Sequence, residues 1–496
     1  MIKHFVEKYD KQVHRFLEIL PGTFSWTLIL FPFWGSFWVP HYVAYYVIFF
    51  VIFWFYKSAA LAITSTMSHL KLNAAKKYDW LADAKRLTNF KKLHHLVIVP
   101  TYLEPLHTID RGLESVAKQD YPHDKISVCL AFEKREGKTA LEKAQILKKK
   151  YQNKFANFIV TFHPDIAREV KGKSSNQAYA GKVAKKLLVD KKKLDINFIT
   201  VTSKDADGIL HEKYLSALAY KFLSRENNHL LFWQPIVLFY TNVWKVPAPI
   251  RVMSTFSSIW QTGLNSRTDR LVNYSMYSTS LALLDDVGYW DVDVIPEDYR
   301  IFFKSYFAKS GKVEVDPIFL PVFADAAESS TYFKSLVNLY EQEKRWAWGV
   351  SDDAYFIKNW LIHTEIPFWK RTTRVFKVLE DHFLWPVNWF AITLGATVPV
   401  ILNPVFAQTV MGQNLPKVAF GILTSCWVFL AVILFIDLKQ RPKREEKVSI
   451  FRKILTPFEF VLMPVVTFIF TALPGIDAHT RLMLGKYLEY RVTEKV

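Results

Sequence analysis

Residues 195–207 read DINFITVTSKDAD. The run from Asp195 to Thr202 is rich in Ile, Val, Thr and Phe, which suit a pleated, buried strand. It breaks at Ser203-Lys204 and then delivers two carboxylates, Asp205 and Asp207, one residue apart. Upstream, His95–Val99 is an apolar run that ends at Pro100, and Ile126–Phe132 and Asn157–Phe162 read the same way. Helical spacing fills the intervals at Ile109–Lys118, Lys138–Tyr151 and Asn176–Leu188, and again at His211–Leu223. Strands alternating with helices predict a mostly parallel sheet with helices on both faces. In such sheets the working residues gather beyond the carboxyl ends of the strands, which is where Asp205 and Asp207 stand. Residues 90–360 contain neither a Gly-x-Gly-x-x-Gly nor a Walker-type loop, so phosphate recognition, if any, is built otherwise.

Outside this domain the chain changes character. It is 496 residues long and 51% hydrophobic, yet its mean hydropathy is only +0.06, because the apolar residues are concentrated at the two ends. Pro21 to Tyr56 is 36 residues without Asp, Glu, Lys or Arg. As one helix it would run about 54 Å, against a hydrocarbon core of about 30 Å. With Pro32 and Pro40 inside it, the stretch reads as two segments near 22–39 and 41–64. The first is short and broken by proline, and it lies partly in the interface. A second block offers segments near 383–407, 418–436 and 456–473, the last bounded by Pro474-Gly475 and containing Glu459. The expected organisation is a leader over 1–20, a transmembrane pair over 21–66 and a polar domain over 67–380. A second pair over 381–436, a basic loop over 437–455 and a re-entrant or transmembrane segment with its tail over 456–496 complete it. The long polar leader argues against a cleaved signal peptide.

Charge gives the orientation. Lys439, Arg441, Lys443, Arg444, Lys447, Arg452 and Lys453 outnumber Asp437, Glu445 and Glu446 in the loop between two apolar spans, and Lys3, Lys8, Lys11 and Arg15 precede the first. Arg481, Lys486, Arg491 and Lys495 mark the tail. Basic flanks of this kind stay inside, so the polar domain is expected in the cytoplasm of a multi-pass protein of the cell (plasma) membrane. The formal net charge of +18 then reflects a membrane-facing surface. Lys148–Lys150 and Lys191–Lys193 are solvated helix and turn residues without a nucleic-acid recognition pattern, so nucleic acid is not an expected partner. Cys129 and Cys426 are too few and too distant for a disulfide framework or a metal cluster.

Three clusters carry chemistry. Asp205 and Asp207 are hard oxygen donors that suit Mg2+ or Mn2+ bridging a diphosphate. In WDVDVIPED, residues 290–298, a helix start at Pro296 would favour Glu297 and Asp298 in its first turn, where a carboxylate could take a proton from a hydroxyl. In YEQEKRW, residues 340–346, Gln342, Arg345 and Trp346 share one helical face: two hydrogen-bonding groups for sugar or phosphate and an indole for stacking on a sugar ring.

In this order the pieces resemble the family 2 glycosyltransferases, especially the membrane-embedded branch of cellulose, chitin and hyaluronan synthases, over residues 93–350. VPTYLE (99–104) is similar to the opening strand and nucleotide-side loop of that family, and SVAKQDYP (115–122) to its Ser-Leu-x-x-Gln-x-Tyr-Pro segment. Asp205-Ala206-Asp207 matches Asp-x-Asp, Glu297-Asp298 the Glu-Asp motif, and Gln342-x-x-Arg345-Trp346 the Gln-x-x-Arg-Trp signature. Gly172-Lys173-Ser174-Ser175-Asn176 loosely resembles the family's Gly-Lys region near the nucleotide. Two positions depart: Glu133 stands where the family has Asp at the end of the second strand, and Pro296 where it has Thr.

The resemblance implies a GT-A-type domain inserted between N- and C-terminal transmembrane segments. It implies an inverting, metal-dependent hexosyltransferase that uses a nucleotide-diphosphate sugar, with UDP-sugars favoured. Asp298 would be the base. Glu104, Glu133, Lys173, Asp205 and Asp207 would bind the donor, Asp207 also holding Mg2+ or Mn2+. Glu297, Gln342, Arg345 and Trp346 would bind acceptor and diphosphate. The acceptor would be a growing polysaccharide or oligosaccharide; the alternative is a single transfer to a membrane lipid.

Overall fold

The computed structural model describes residues 2–444, 449, 451 and 456–489. Glu445, Glu446, Lys447, Arg452 and Lys453 of the basic loop, and Arg491 and Lys495 of the tail, lie outside them. Eight strands form one sheet: β1 (His94–Thr101), β2 (Ile126–Glu133), β3 (Asn157–His163), β4 (Ile199–Ser203), β5 (Ile209–Leu210), β6 (Leu231–Leu238), β7 (Tyr277–Ser280) and β8 (Glu314–Phe323). Their order is β3-β2-β1-β4-β7-β6-β8-β5.

The first four strands pair in parallel, as the β–α alternation predicts. β1, β2 and β4 are buried along their whole length, which is why they read as continuous apolar runs rather than alternating ones. The expectation of a mostly parallel sheet needs correction. β7 runs antiparallel to both β4 and β6, and β5 antiparallel to β8, so the sheet is mixed. The physical reason is that β5 and β7 are only two and four residues long, too short to carry a readable period, and the helix Ala248–Leu264 before β7 still reads as a parallel crossover.

This reversal matters for placement. β1, β2, β3, β4, β6 and β8 all end at one side of the sheet, and the reversed β7 and β5 begin there, with Tyr277 opposite Ser203 and Ile209 opposite Phe323. Eight chain segments therefore converge on that edge. Helices cover the sheet; the one over Leu106–Ala117 comes so close to the loop after β4 that a Cβ on Gly112 would stand 2.2 Å from the Ala206 carbonyl oxygen and 2.8 Å from Lys204 Nζ.

Among the described residues four helices are long and apolar enough to cross a membrane: Asp10–Trp38, Pro40–Lys77, Val410–Gln440 and Thr456–Met483. They support a multi-pass membrane protein. Pro21 and Pro32 sit inside the first of them without ending it, as proline does in apolar helices whose neighbours satisfy the freed backbone groups. The 383–407 stretch is shared between the end of helix Phe368–Thr393 and two short helices, Val398–Leu402 and Pro404–Ala407.

Polar clamps tie these helices to the helix Ala248–Leu264 and to the loop after β6. Arg251 is buried and forms a two-pronged pair with Glu459 at 2.7 and 2.8 Å. At the end of Val410–Gln440, Asp437 accepts the Tyr240 hydroxyl at 2.7 Å and pairs with Arg441 at 2.7 Å.

The contact at Gly112 yields a direct test. Gly112→Ala is expected to lower stability by about 1–3 kcal/mol, read by thermal denaturation, because a backbone carbonyl must give way. A variant that melts with the parent would contradict the close approach.

Candidate active site

Parallel strand ends place the first pieces. β4 ends at Ser203, and the next residues form the 205–207 loop; β2 ends at Glu133 on the same edge. Helix Glu297–Ala308 has Pro296 as its N-cap, so Glu297 and Asp298 occupy its first turn, as expected from the sequence.

The structure brings four of the expected site residues together. Lys173 Nζ lies 2.8 Å from Asp205 Oδ1 and 3.0 Å from Glu297 Oε1. Ser275 completes the cluster. Its backbone N–H donates to Asp298 Oδ2 at 2.8 Å, its hydroxyl donates to Asp205 Oδ2 at 2.8 Å, and its carbonyl accepts from Lys173 Nζ at 2.7 Å. Ser275 does this from a left-handed backbone, φ 54°, a conformation that costs on the order of 1–3 kcal/mol in a non-glycine residue and persists where surroundings over-determine it. Asp298 Oδ1 also accepts the Tyr299 N–H at 2.9 Å, and Asn273 Nδ2 donates to the Asp298 carbonyl at 2.7 Å.

The electrostatics follow from burial and crowding. Burial pushes the Glu297 carboxyl up to about 7, against the pull of Lys173. Asp298 is raised by burial as well, with Lys173 and the two backbone N–H groups opposing the shift. Burial works against the charge on Lys173, yet Asp205 and Glu297 hold it well above the ordinary lysine range. A carboxylate whose proton affinity burial raises, and which two N–H donors orient, is equipped to accept a proton.

Asp207 is buried, and its Oδ2 accepts the Asp325 N–H at 3.0 Å just past the end of β8; Asp325 in turn pairs with Arg111 at 2.6 Å. Its hard oxygen donors fit a divalent cation. Among the described residues no group of three or more His, Cys, Asp or Glu could hold an ion by itself.

The other expected residues are placed apart from this cluster. The Glu104 carboxylate closes its own loop, accepting from Thr101 Oγ1 at 2.7 Å and the Tyr102 N–H at 2.5 Å. Glu133 pairs with Arg135 at 2.5 Å, and Arg135 stacks 3.7 Å over the Tyr102 ring, forming a flat platform at the ends of β1 and β2. Gln342, Arg345 and Trp346 lie on helix Tyr332–Ala347, with Trp346 packed on Phe239 at a ring distance of 5.6 Å, just beyond β6.

Ser275, Asn273 and Asp325 escape sequence reading because each acts through its place on the sheet edge. The signal for Ser275 would have been the reversed β7, which is only four residues long.

With this geometry in view, residues 200–437 match a family model described as Glycosyl transferase family group 2, a little under half of the chain. The match supports a family 2 glycosyltransferase fold and sugar transfer as the general chemistry. It includes Asp205, Asp207, Glu297, Asp298, Gln342, Arg345 and Trp346, and it leaves Glu104, Glu133 and Lys173 outside. No curated protein matches the chain. Among solved structures, the chain is similar to the mannosyltransferase PcManGT from Pyrobaculum calidifontis in complex with GDP-Man and Mn2+. That likeness has 14% identity and a TM-score of 0.45 and covers 76% of this chain and 99% of that one. It is also similar to residues 1–349 of S. aureus TarS in complex with UDP-GlcNAc, with 16% identity and a TM-score of 0.34, covering 72% and 95% respectively.

Glu343, between the expected acceptor residues, is buried, and burial alone pushes its carboxyl from the ordinary 4.5 up to about 8. A carboxyl raised on folding gives stability that is full below about 4.5 and is lost as pH rises through about 8. The melting temperature should therefore fall between those limits. Glu343→Gln, which cannot ionise, should flatten that fall; equal slopes for both proteins would exclude Glu343 as its source.

Proposed function

We propose that the protein is an inverting, metal-dependent glycosyltransferase that moves a hexose from a nucleotide-diphosphate sugar, a UDP-sugar favoured, onto a growing polysaccharide or oligosaccharide at the cytoplasmic face of the plasma membrane. The observation that carries this reading is the hold of Ser275 on both Asp205 and Asp298, with Lys173 bridging Asp205 and Glu297. It joins the strand-end carboxylate, on the donor side, to the helix-start carboxylate, on the acceptor side.

Asp205 and Lys173 would orient the donor, with Glu133 and the Arg135–Tyr102 platform on its nucleotide side and Glu104 shaping the loop beneath. Asp207 would hold Mg2+ or Mn2+, which when bound neutralises the charge of the leaving diphosphate. Asp298 would take the proton of the acceptor hydroxyl. As that oxygen forms its bond to the anomeric carbon, the bond to the diphosphate breaks and its electron pair leaves with the nucleotide. One in-line displacement inverts the centre. Glu297 would share the charge of Lys173 beside the base, and Gln342, Arg345 and Trp346 would hold the acceptor end and the diphosphate. The basic flanks of the spans support the cytoplasmic orientation.

Two measurements test this. Asp298→Asn should lower kcat by about 10²–10⁴-fold with donor affinity within a few-fold of the parent; retained turnover would remove Asp298 as the base. Purified enzyme given labelled UDP-sugars and Mn2+ should yield a ladder of products. A single labelled lipid without a ladder would replace the polymer acceptor by a lipid one.

A further inference from the structure

The segment that ends at Ser275 begins at the membrane. Lys57 is the first charged residue after the charge-free run Pro21–Tyr56 and lies on the long apolar helix Pro40–Lys77. Its ammonium pairs with Glu380 at 2.7 Å on helix Phe368–Thr393. Glu380 and its neighbour Asp381 also hold Arg270, at 2.9 and 2.6 Å. Two further residues of the same helix, spaced to share its face, grip the chain beside Arg270. Lys377 pairs with Asp269 at 2.6 Å, and Arg374 donates to the Leu271 carbonyl at 3.1 Å.

The arm from Asp269 to Ser275 is thus pinned at one end to the membrane-boundary helices. At its other end Asn273 and Ser275 make three of the hydrogen bonds that fix Asp298 and Asp205. Lys57 and Arg270 are mostly buried where they pair, their side chains 13% and 10% exposed, so these contacts are not the screened surface pairs that contribute little.

We propose that the arm 269–275 is a positioning device: the membrane helices, through Lys57, Glu380 and Arg270, set where the two carboxylates of the active site stand. The effect on rate rests on the sugar-transfer reading; the linkage itself does not. Lys57 and Arg270 then act as positioning residues, remote from the reacting atoms. They matter because displacements of about 1 Å at reacting groups cost rate steeply.

The test uses the full-length protein in lipid nanodiscs and compares the parent with Lys57→Met, Lys57→Arg and Glu380→Gln. Amide hydrogen exchange should rise over 269–275 and 297–300 in Lys57→Met and Glu380→Gln while β1–β4 exchange as in the parent. In the same variants kcat should fall about tenfold with donor KM within about twofold, and Lys57→Arg should restore both readouts. Unchanged exchange over the arm in both weakened variants would overturn the proposal. So would a rise spread over the whole sheet, which marks plain destabilisation. The exchange measurement decides the linkage even if the parent transfers no sugar from any donor, a result that would instead overturn the sugar-transfer reading.

Discussion

Around Ser275 the carboxylates of Asp205, Glu297 and Asp298 meet the ammonium of Lys173, and the remainder of the site is arranged around that meeting. Asp205, Glu297 and Asp298 cannot all carry full charge cheaply in a half-buried cluster: two like charges about 4 Å apart cost roughly 4 kcal/mol at an effective dielectric of about 20. Lys173 answers two of them directly. Ser275 answers Asp205 with its hydroxyl and Asp298 with its N–H. What remains is distributed as raised proton affinity on Glu297 and Asp298. Burial raises both carboxyls and the crowding adds to it, so the arrangement that makes the cluster costly also favours uptake of a proton there.

That crowding depends on one reversed strand. Had β7 followed the parallel pattern of β1–β4, Ser280 rather than Tyr277 would lie at the active edge, and the chain before Tyr277 would emerge on the far side of the sheet. Antiparallel pairing of Ser203 with Tyr277 brings the preceding residues Ser275 and Asn273 back to the carboxyl end of β4. The same logic brings Asp325 beside Asp207, because β8 runs parallel to β6 and ends at that edge.

These placements explain what could be read from the sequence. His95–Val99 and Ile126–Phe132 became β1 and β2 almost residue for residue, because a strand buried along its whole length is largely apolar and announces itself, and Asn157–Phe162 became β3, the partly exposed end strand. Glu297 and Asp298 were legible as a helix start because capping chemistry is local. The parallel count was overread, since β5 and β7 have two and four residues and carry no period. Ser275 was illegible for a different reason. Its role is fixed by a left-handed backbone and by partners 23, 70 and 102 residues away in the chain. The convergence of Lys173 with Glu297 is likewise a property of the sheet edge.

The charges at the membrane boundary follow the same physics as the active cluster, with the opposite outcome. Lys57 and Arg270 face Glu380 and Asp381, two cations against two anions. In these four groups the charges match, so each ion's loss of water is offset by near partners on other elements. A charge-matched clamp favours one geometry and holds it; a cluster with excess carboxylate exchanges protons. The chain places the first where the apolar helices meet the polar domain and the second where eight segments converge on the sheet edge. The six-residue step from Asp269 to Ser275 joins them, so rigidity is supplied at the boundary and proton affinity is left adjustable at the site.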